Sequence, residues 1–162
     1  MAMRRNILAC AVALTAIGPA FGEGPKAAVG MEADCARLAV DYAYHRDRFD
    51  PDGVAGVFAP DGVLKLFGET FTGRAAIAAR IGSMGRTTIR HLVSNVRVTP
   101  ESDSAASMTS YVEVVQAPAG PLPATHPGAS TIGEYRDRCV ATPEGWRLAS
   151  RELIIAFALV RP

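Results

Sequence analysis

The hydrophobic pattern changes character near Gly85. After it come four stretches rich in Val, Ile, Thr and aromatic residues: Thr87 to Thr99, Ala105 to Ala117, Thr131 to Thr142 and Trp146 to Phe157. Runs of β-branched and aromatic residues bounded by turn formers predict strands. Pro100 to Ser104 and Thr142-Pro143-Glu144-Gly145 are the expected turns. Between the second and third runs, Pro118 to Ser130 holds four prolines and no apolar run, which predicts a long loop.

Before Gly85 the spacing is helical. Glu32 to Arg48 is rich in Ala and Leu and has neither Pro nor Gly, so a helix is expected there. Pro51 to Phe58 reads as a second, short helix, with Asp50 as its cap and Pro51 suited to its first turn. Ala59-Pro60-Asp61-Gly62 is a turn signal, Val63 to Phe67 a strand, Gly68-Glu69 a tight turn and Thr70 to Thr72 the return. Gly73 opens a third helix, Arg74 to Ile81. Helices first and long antiparallel strands afterwards predict one α+β domain over residues 32–162. Its sheet must curve strongly around the first helix, giving a cone-shaped α+β barrel with a mostly antiparallel sheet. Helices closing one side of such a sheet leave a central pocket for a small ligand.

Composition narrows the function classes. The 162 residues suit one domain, with 49% hydrophobic and 20% charged residues. The formal charge is +1 and no run of like charges occurs, which argues against a nucleic-acid surface. Three cysteines without a CxxC pair give no structural zinc site, and neither metal nor cofactor is expected.

Four segments carry a family resemblance. DRFDPDGVAGVFAPDGVLKL resembles an acidic turn, second helix and first strand; FTGRAAIAARI resembles a Gly-led third helix. TIRHLVSNVRV resembles a strand that carries a pocket histidine, and GEYRDRCVATPEGWRLASREL resembles a final hairpin with Tyr-x-Asp and Gly-Trp-Arg features. In that order they resemble the SnoaL-like branch of the nuclear transport factor 2-like superfamily, most of all its scytalone dehydratase-like members. The resemblance spans nearly all of Asp34 to Phe157. It says more about fold than function, because this fold hosts dehydratases, dehydrochlorinases, isomerases, cyclases and binding modules.

The resemblance implies a pair formed by an Asp at the end of the first helix and a His on the strand after the third helix. The matching residues are Asp47 and His91. Two positions depart from the family. Arg46 stands where a hydroxyl-bearing residue precedes the Asp, with Tyr44, three residues before Asp47, as a substitute. Gln116 stands near the place of a second histidine.

Without any family, a His–carboxylate pair is sound chemistry. Imidazole titrates near neutrality and moves protons, and a carboxylate fixes its tautomer. His91 also admits a plainer reading, a core histidine satisfied by a hydrogen bond. Strand alternation puts Val93 and Asn95 on the face of His91. By the resemblance, Tyr135 matches a position where the dehydratase-like members keep a polar pocket residue; read alone, it packs in the core with its hydroxyl at the rim. Asp137 shares its face and has Arg151 on the next strand as an alternative partner. Arg90 and Arg97 read as sheet-surface residues, Trp146 and Phe157 as core or dimer contacts. Of the other histidines, His45 points away from Asp47 and His126 lies in the Pro-rich loop.

The resulting expectation is a cofactor-free lyase or isomerase, dehydratase- or dehydrochlorinase-like, acting on a small, largely apolar, often cyclic substrate. His91 would be the base, Asp47 would orient it, and Tyr44, Tyr135, Asn95 and Val93 would bind substrate. The alternative is a non-catalytic periplasmic module that binds a hydrophobic small molecule. Neither sheet face is very polar, so a homodimer is expected.

The N-terminus reads as a signal peptide over residues 1–22, followed by a flexible arm over 23–31. Arg4 and Arg5 precede an uncharged apolar core of 11 residues, Ile7 to Ile17, with Pro19 beyond it and small residues at Ala20 and Gly22. That core is short for a permanent span of about 30 Å; an uncut anchor is the alternative. Most of the core follows Cys10, which rules out a lipoprotein cysteine. Cleavage would leave Cys35 and Cys139 in a periplasmic or extracellular space, bridged or separately buried. Exported protein should begin at Glu23 by N-terminal sequencing; a membrane-bound chain starting at Met1 would overturn this reading.

Overall fold

The computed structural model describes residues 24–125 and 129–157. The leader with Cys10, and His126, lie outside the described residues. The elements are α1 (Gly24–Asp47), α2 (Pro51–Gly56), β1 (Phe58–Leu66), β2 (Glu69–Thr72), α3 (Arg74–Ser83), β3 (Thr87–Ser102), β4 (Ala105–Pro118), β5 (Ala129–Thr142) and β6 (Gly145–Phe157). One six-stranded sheet has the order β2-β1-β6-β5-β4-β3. All neighbours are antiparallel except β1 and β6, which run parallel. The architecture is α+β, a curved sheet closed by the helices.

Two boundaries differ from the pattern. The backbone is helical from Gly24, so α1 takes in most of the segment read as an arm. Ala27 and Ala28 favour helix, and Pro25 sits in the first turn, where its missing N–H costs nothing. Ala59 to Gly62, read as a turn, lies inside β1. There the pairing with β6 slips between Phe58 and Val63, so the turn signal marks an irregular strand. Pro100 sits in β3 without harm because β3 is a sheet edge.

α1 lies on the sheet, chiefly over β3, with β6 and β4 beside it. Its buried stripe is Met31, Cys35, Leu38, Ala39, Tyr42, Ala43 and Arg46, the repeat of a helix with one face inside. From the sheet, Phe58, Leu64, Met108, Val112 and Leu148 complete the core. Steps of three and four keep the stripe in line, so it ends on the buried Arg46 beside Asp47. β5 and β6 slip register between Ile132 and Gly133. A Cβ at Gly133 would run into the Ile154 carbonyl oxygen, so only glycine allows that approach.

The end of α1 is fixed by a local network. Phe49 takes a left-handed conformation, φ 54°. Asp50 then caps α2, accepting from the Gly53 N–H at 2.9 Å, while its other oxygen meets His45 Nδ1 at 2.8 Å. That Gly53 N–H, and after it His45, hold the Asp50 carboxyl below the usual carboxylate range. Asp50 and Pro51 act as the sequence suggested, and His45 is engaged there, away from Asp47.

Cys35 and Cys139 are free and fully buried. Burial is the main cause that pushes both thiols up, so neither is a reactive thiolate near neutrality. Among the described residues no helix is long and apolar enough to cross a membrane.

Candidate active site

Asp47 is the last residue of α1, and His91 lies in the edge strand β3. An edge strand leaves alternate N–H groups without a strand partner. Asp47 takes one of these: the His91 backbone N–H donates to its two oxygens at 3.1 and 3.3 Å. His91 Nδ1 stands 2.7 Å from Asp47 Oδ1. A carboxylate at a helix C-terminus meets the negative end of the helix dipole, and these donors offset that. The hydrogen on this side belongs to Nδ1, because a carboxylate only accepts. Nε2 has no partner among the described residues.

The imidazole lines a cavity of about 50 Å³. Leu66, Ile89, Val114 and Leu153 form apolar walls, and Tyr42, Arg46, Gln116 and Tyr135 supply polar groups. A cavity of that size holds a few waters, given that one water needs about 10–15 Å³. A second cavity of about 40 Å³ shares Arg46, Met84, Ile89 and Gln116.

Beneath the cavity lies a fully buried ion pair. Arg151 Nε and Nη2 donate to the Asp137 oxygens at 2.9 and 2.7 Å, with both side chains at 0% exposure. The guanidinium is held between two rings, 4.3 Å from the centroid of Tyr42 and 4.1 Å from that of Tyr135. Those rings meet edge to face at 5.7 Å. Burial works against the Arg151 charge, but Asp137 more than offsets it, and the guanidinium pKa is raised. Burial first of all raises the pKa of both tyrosines, so each phenol stays protonated and able to donate.

The residues singled out in the sequence divide here. Asp47, His91 and Tyr135 come together, and Asp137 pairs with Arg151. Arg90 and Arg97 lie on the sheet surface. Val93 packs against the core and is not among the residues lining the His91 cavity. Asn95 was expected in the pocket and is exposed instead. A bulge between Ser94 and Arg97 adds a residue to β3, and Asn95 sits in it with φ 51°; the extra residue breaks the alternation. Tyr44 is also misplaced by the sequence reading. It is 51% exposed, with the Arg48 guanidinium 3.5 Å over its ring. The inward face of α1 runs through Tyr42 and Arg46, four residues apart, and Tyr44 falls off it. Trp146 packs against the core, whereas Phe157 is exposed. Tyr42 is the pocket residue the sequence reading passed over. Its place on the stripe of Cys35, Leu38 and Ala39 was the available signal.

A curved sheet closed by helices over a small pocket is the nuclear transport factor 2-like, cystatin-like fold of the solved structures it resembles. The chain belongs to the SnoaL-like domain family, whose pattern matches residues 28–152. A Novosphingobium aromaticivorans protein, proposed to be a scytalone dehydratase, is similar at 24% identity and TM-score 0.70, over 83% of this chain and 92% of that one. A second protein from that organism, described as NTF2-like with a cystatin-like fold, has 24% identity and TM-score 0.69, over 80% and 84%. ActVI-ORFA from Streptomyces coelicolor has 21% identity and TM-score 0.66, over 78% and 98%. At these identities the likeness shows the fold. No curated protein matches the sequence.

The ion pair gives a stability prediction. Removing one partner strands a buried charge, which typically costs about 3–5 kcal/mol. Asp137→Ala should therefore lower the thermal midpoint sharply and loosen Tyr42 and Tyr135. A midpoint equal to that of the unchanged protein in calorimetry would refute this role.

Proposed function

We propose that the protein is a cofactor-free lyase or isomerase in which His91 is the general base and Asp47 its orienting partner. The observation that carries this reading is the 2.7 Å contact between His91 Nδ1 and Asp47, made on the wall of a cavity. It leaves Nε2 as the nitrogen able to take a proton from substrate. Nε2 would abstract a proton from a carbon next to an activating group such as a carbonyl. The electrons of that C–H bond then form a double bond as a neighbouring hydroxyl or halide departs. A leaving hydroxide collects the proton from the imidazolium and departs as water. In an isomerase the proton returns to a different carbon. Tyr42 and Tyr135, both protonated phenols, are suited to donate to the activating oxygen. The apolar walls favour a small, largely apolar body.

General base catalysis is typically worth about a hundredfold to ten-thousandfold. His91→Ala and Asp47→Asn should each lower kcat by that order while the circular dichroism spectrum stays unchanged. The double variant should be little worse than the worse single one, because the pair acts as a unit. Full turnover by His91→Ala on a verified substrate would remove His91 as the base; binding of a ligand without any turnover by the unchanged protein would leave a small-molecule binding module.

A homodimer through the outer sheet face belongs to the same proposal. Leu92 on β3 and Tyr111 on β4 are 52% and 53% exposed there. Sedimentation should give twice the chain mass, and Leu92→Glu should return it to one; a monomer at micromolar concentration would overturn this.

A further inference from the structure

Arg46 is a buried cation with a different standing from Arg151. It is 7% exposed, yet no carboxylate lies within ion-pair distance of it among the described residues. Its neighbour Asp47 turns to His91, and Asp137 is taken up by Arg151. No hydrogen bond from its guanidinium to a protein acceptor meets ordinary geometric limits among the described residues, and its polar neighbour is the Tyr42 hydroxyl. Arg46 instead lines both small cavities, together with Ile89, Met84 and Gln116.

A guanidinium presents five donors in a planar fork that matches a carboxylate, and the Arg46 side chain lines both cavities. The group that complements such a fork is an anionic oxygen pair brought by the ligand. We propose that Arg46, assisted by the Gln116 amide, is the anchor for a carboxylate or comparable anionic oxygen on an otherwise apolar substrate. The inference rests on the reading of this cavity as the substrate site and adds the chemical class: a small apolar acid, bound by its anionic head at Arg46, with its reacting carbon left to His91. Arg46 is then a specificity residue, and neutral analogues of the same shape are poor ligands.

The test uses acetate and its neutral isostere acetamide at pH 7.5, probes small enough for the cavity, with binding read by calorimetry and thermal midpoint. Acetate should bind and raise the midpoint; acetamide should not. Arg46→Met should weaken acetate about tenfold to a hundredfold, the usual range for a hydrogen-bonded charge. His91→Ala should lose turnover but keep acetate binding, which separates failure of the anchor from failure of the dyad. If Arg46→Met does not fold, Arg46→Lys keeps the charge without the fork and should bind acetate more weakly than the unchanged protein. Equal affinity for acetate and acetamide, no binding of acetate at millimolar concentration, or undiminished binding by the Arg46 variants would each overturn the proposal.

Discussion

The ion pair between Arg151 and Asp137 holds the inner layer of this cone together. Two charges at 0% exposure are tolerable only because two charge-assisted hydrogen bonds and two aromatic faces surround them. Tyr42 comes from α1 and Tyr135 from β5, so the Arg151 guanidinium on β6 joins helix to sheet in the middle of the core. One turn along the helix from Tyr42 is Arg46, and after it Asp47. Anchoring Tyr42 therefore sets the rotation of α1, and that rotation decides which residues its last turn offers to the cavity. The second fixed point is the edge strand, where Asp47 accepts both the backbone and the ring N–H of His91. With the helix held at Tyr42 and at Asp47, the imidazole has little freedom to turn.

Most of this layout was legible in the sequence because it is periodic. The strands after Gly85 showed their β-branched runs, and the helices their apolar spacing and the Asp50-Pro51 start. Asp47, His91 and Tyr135 were placed by the family resemblance, and each lies on an element whose phase is unbroken up to that residue. The misses come where phase breaks or where a residue was judged by its type. The bulge at Asn95 adds one residue to β3, and no local sequence signal marks it as Gly or Pro would. Tyr44 was chosen for its distance from Asp47, whereas the buried stripe of α1 passes through Tyr42. Arg46 read as a departure from a family pattern, because a charge at the end of a helix is ordinarily solvated. Only packing shows that it is covered.

The two charges at the helix end, Arg46 and Asp47, also set the electrical requirements of the cavity. Asp47 brings a carboxylate to the wall beside the His91 ring. An anionic ligand entering such a site alone would be repelled over a short distance, in surroundings that screen poorly. Arg46, the next residue on the same helix, supplies the opposite charge, so the resting cavity is balanced overall. In the proposed reaction, proton abstraction would change this. With His91 an imidazolium, it and Asp47 would form a neutral pair, and the new negative charge would sit on the substrate. Arg46 lines that cavity, with Tyr42 and Tyr135 as neutral donors in the same wall. On that proposal one buried arginine would offset Asp47 in the ground state and face the charge that Asp47 and His91 together create. Such a double use would be a physical reason to keep a guanidinium where no carboxylate pairs with it among the described residues.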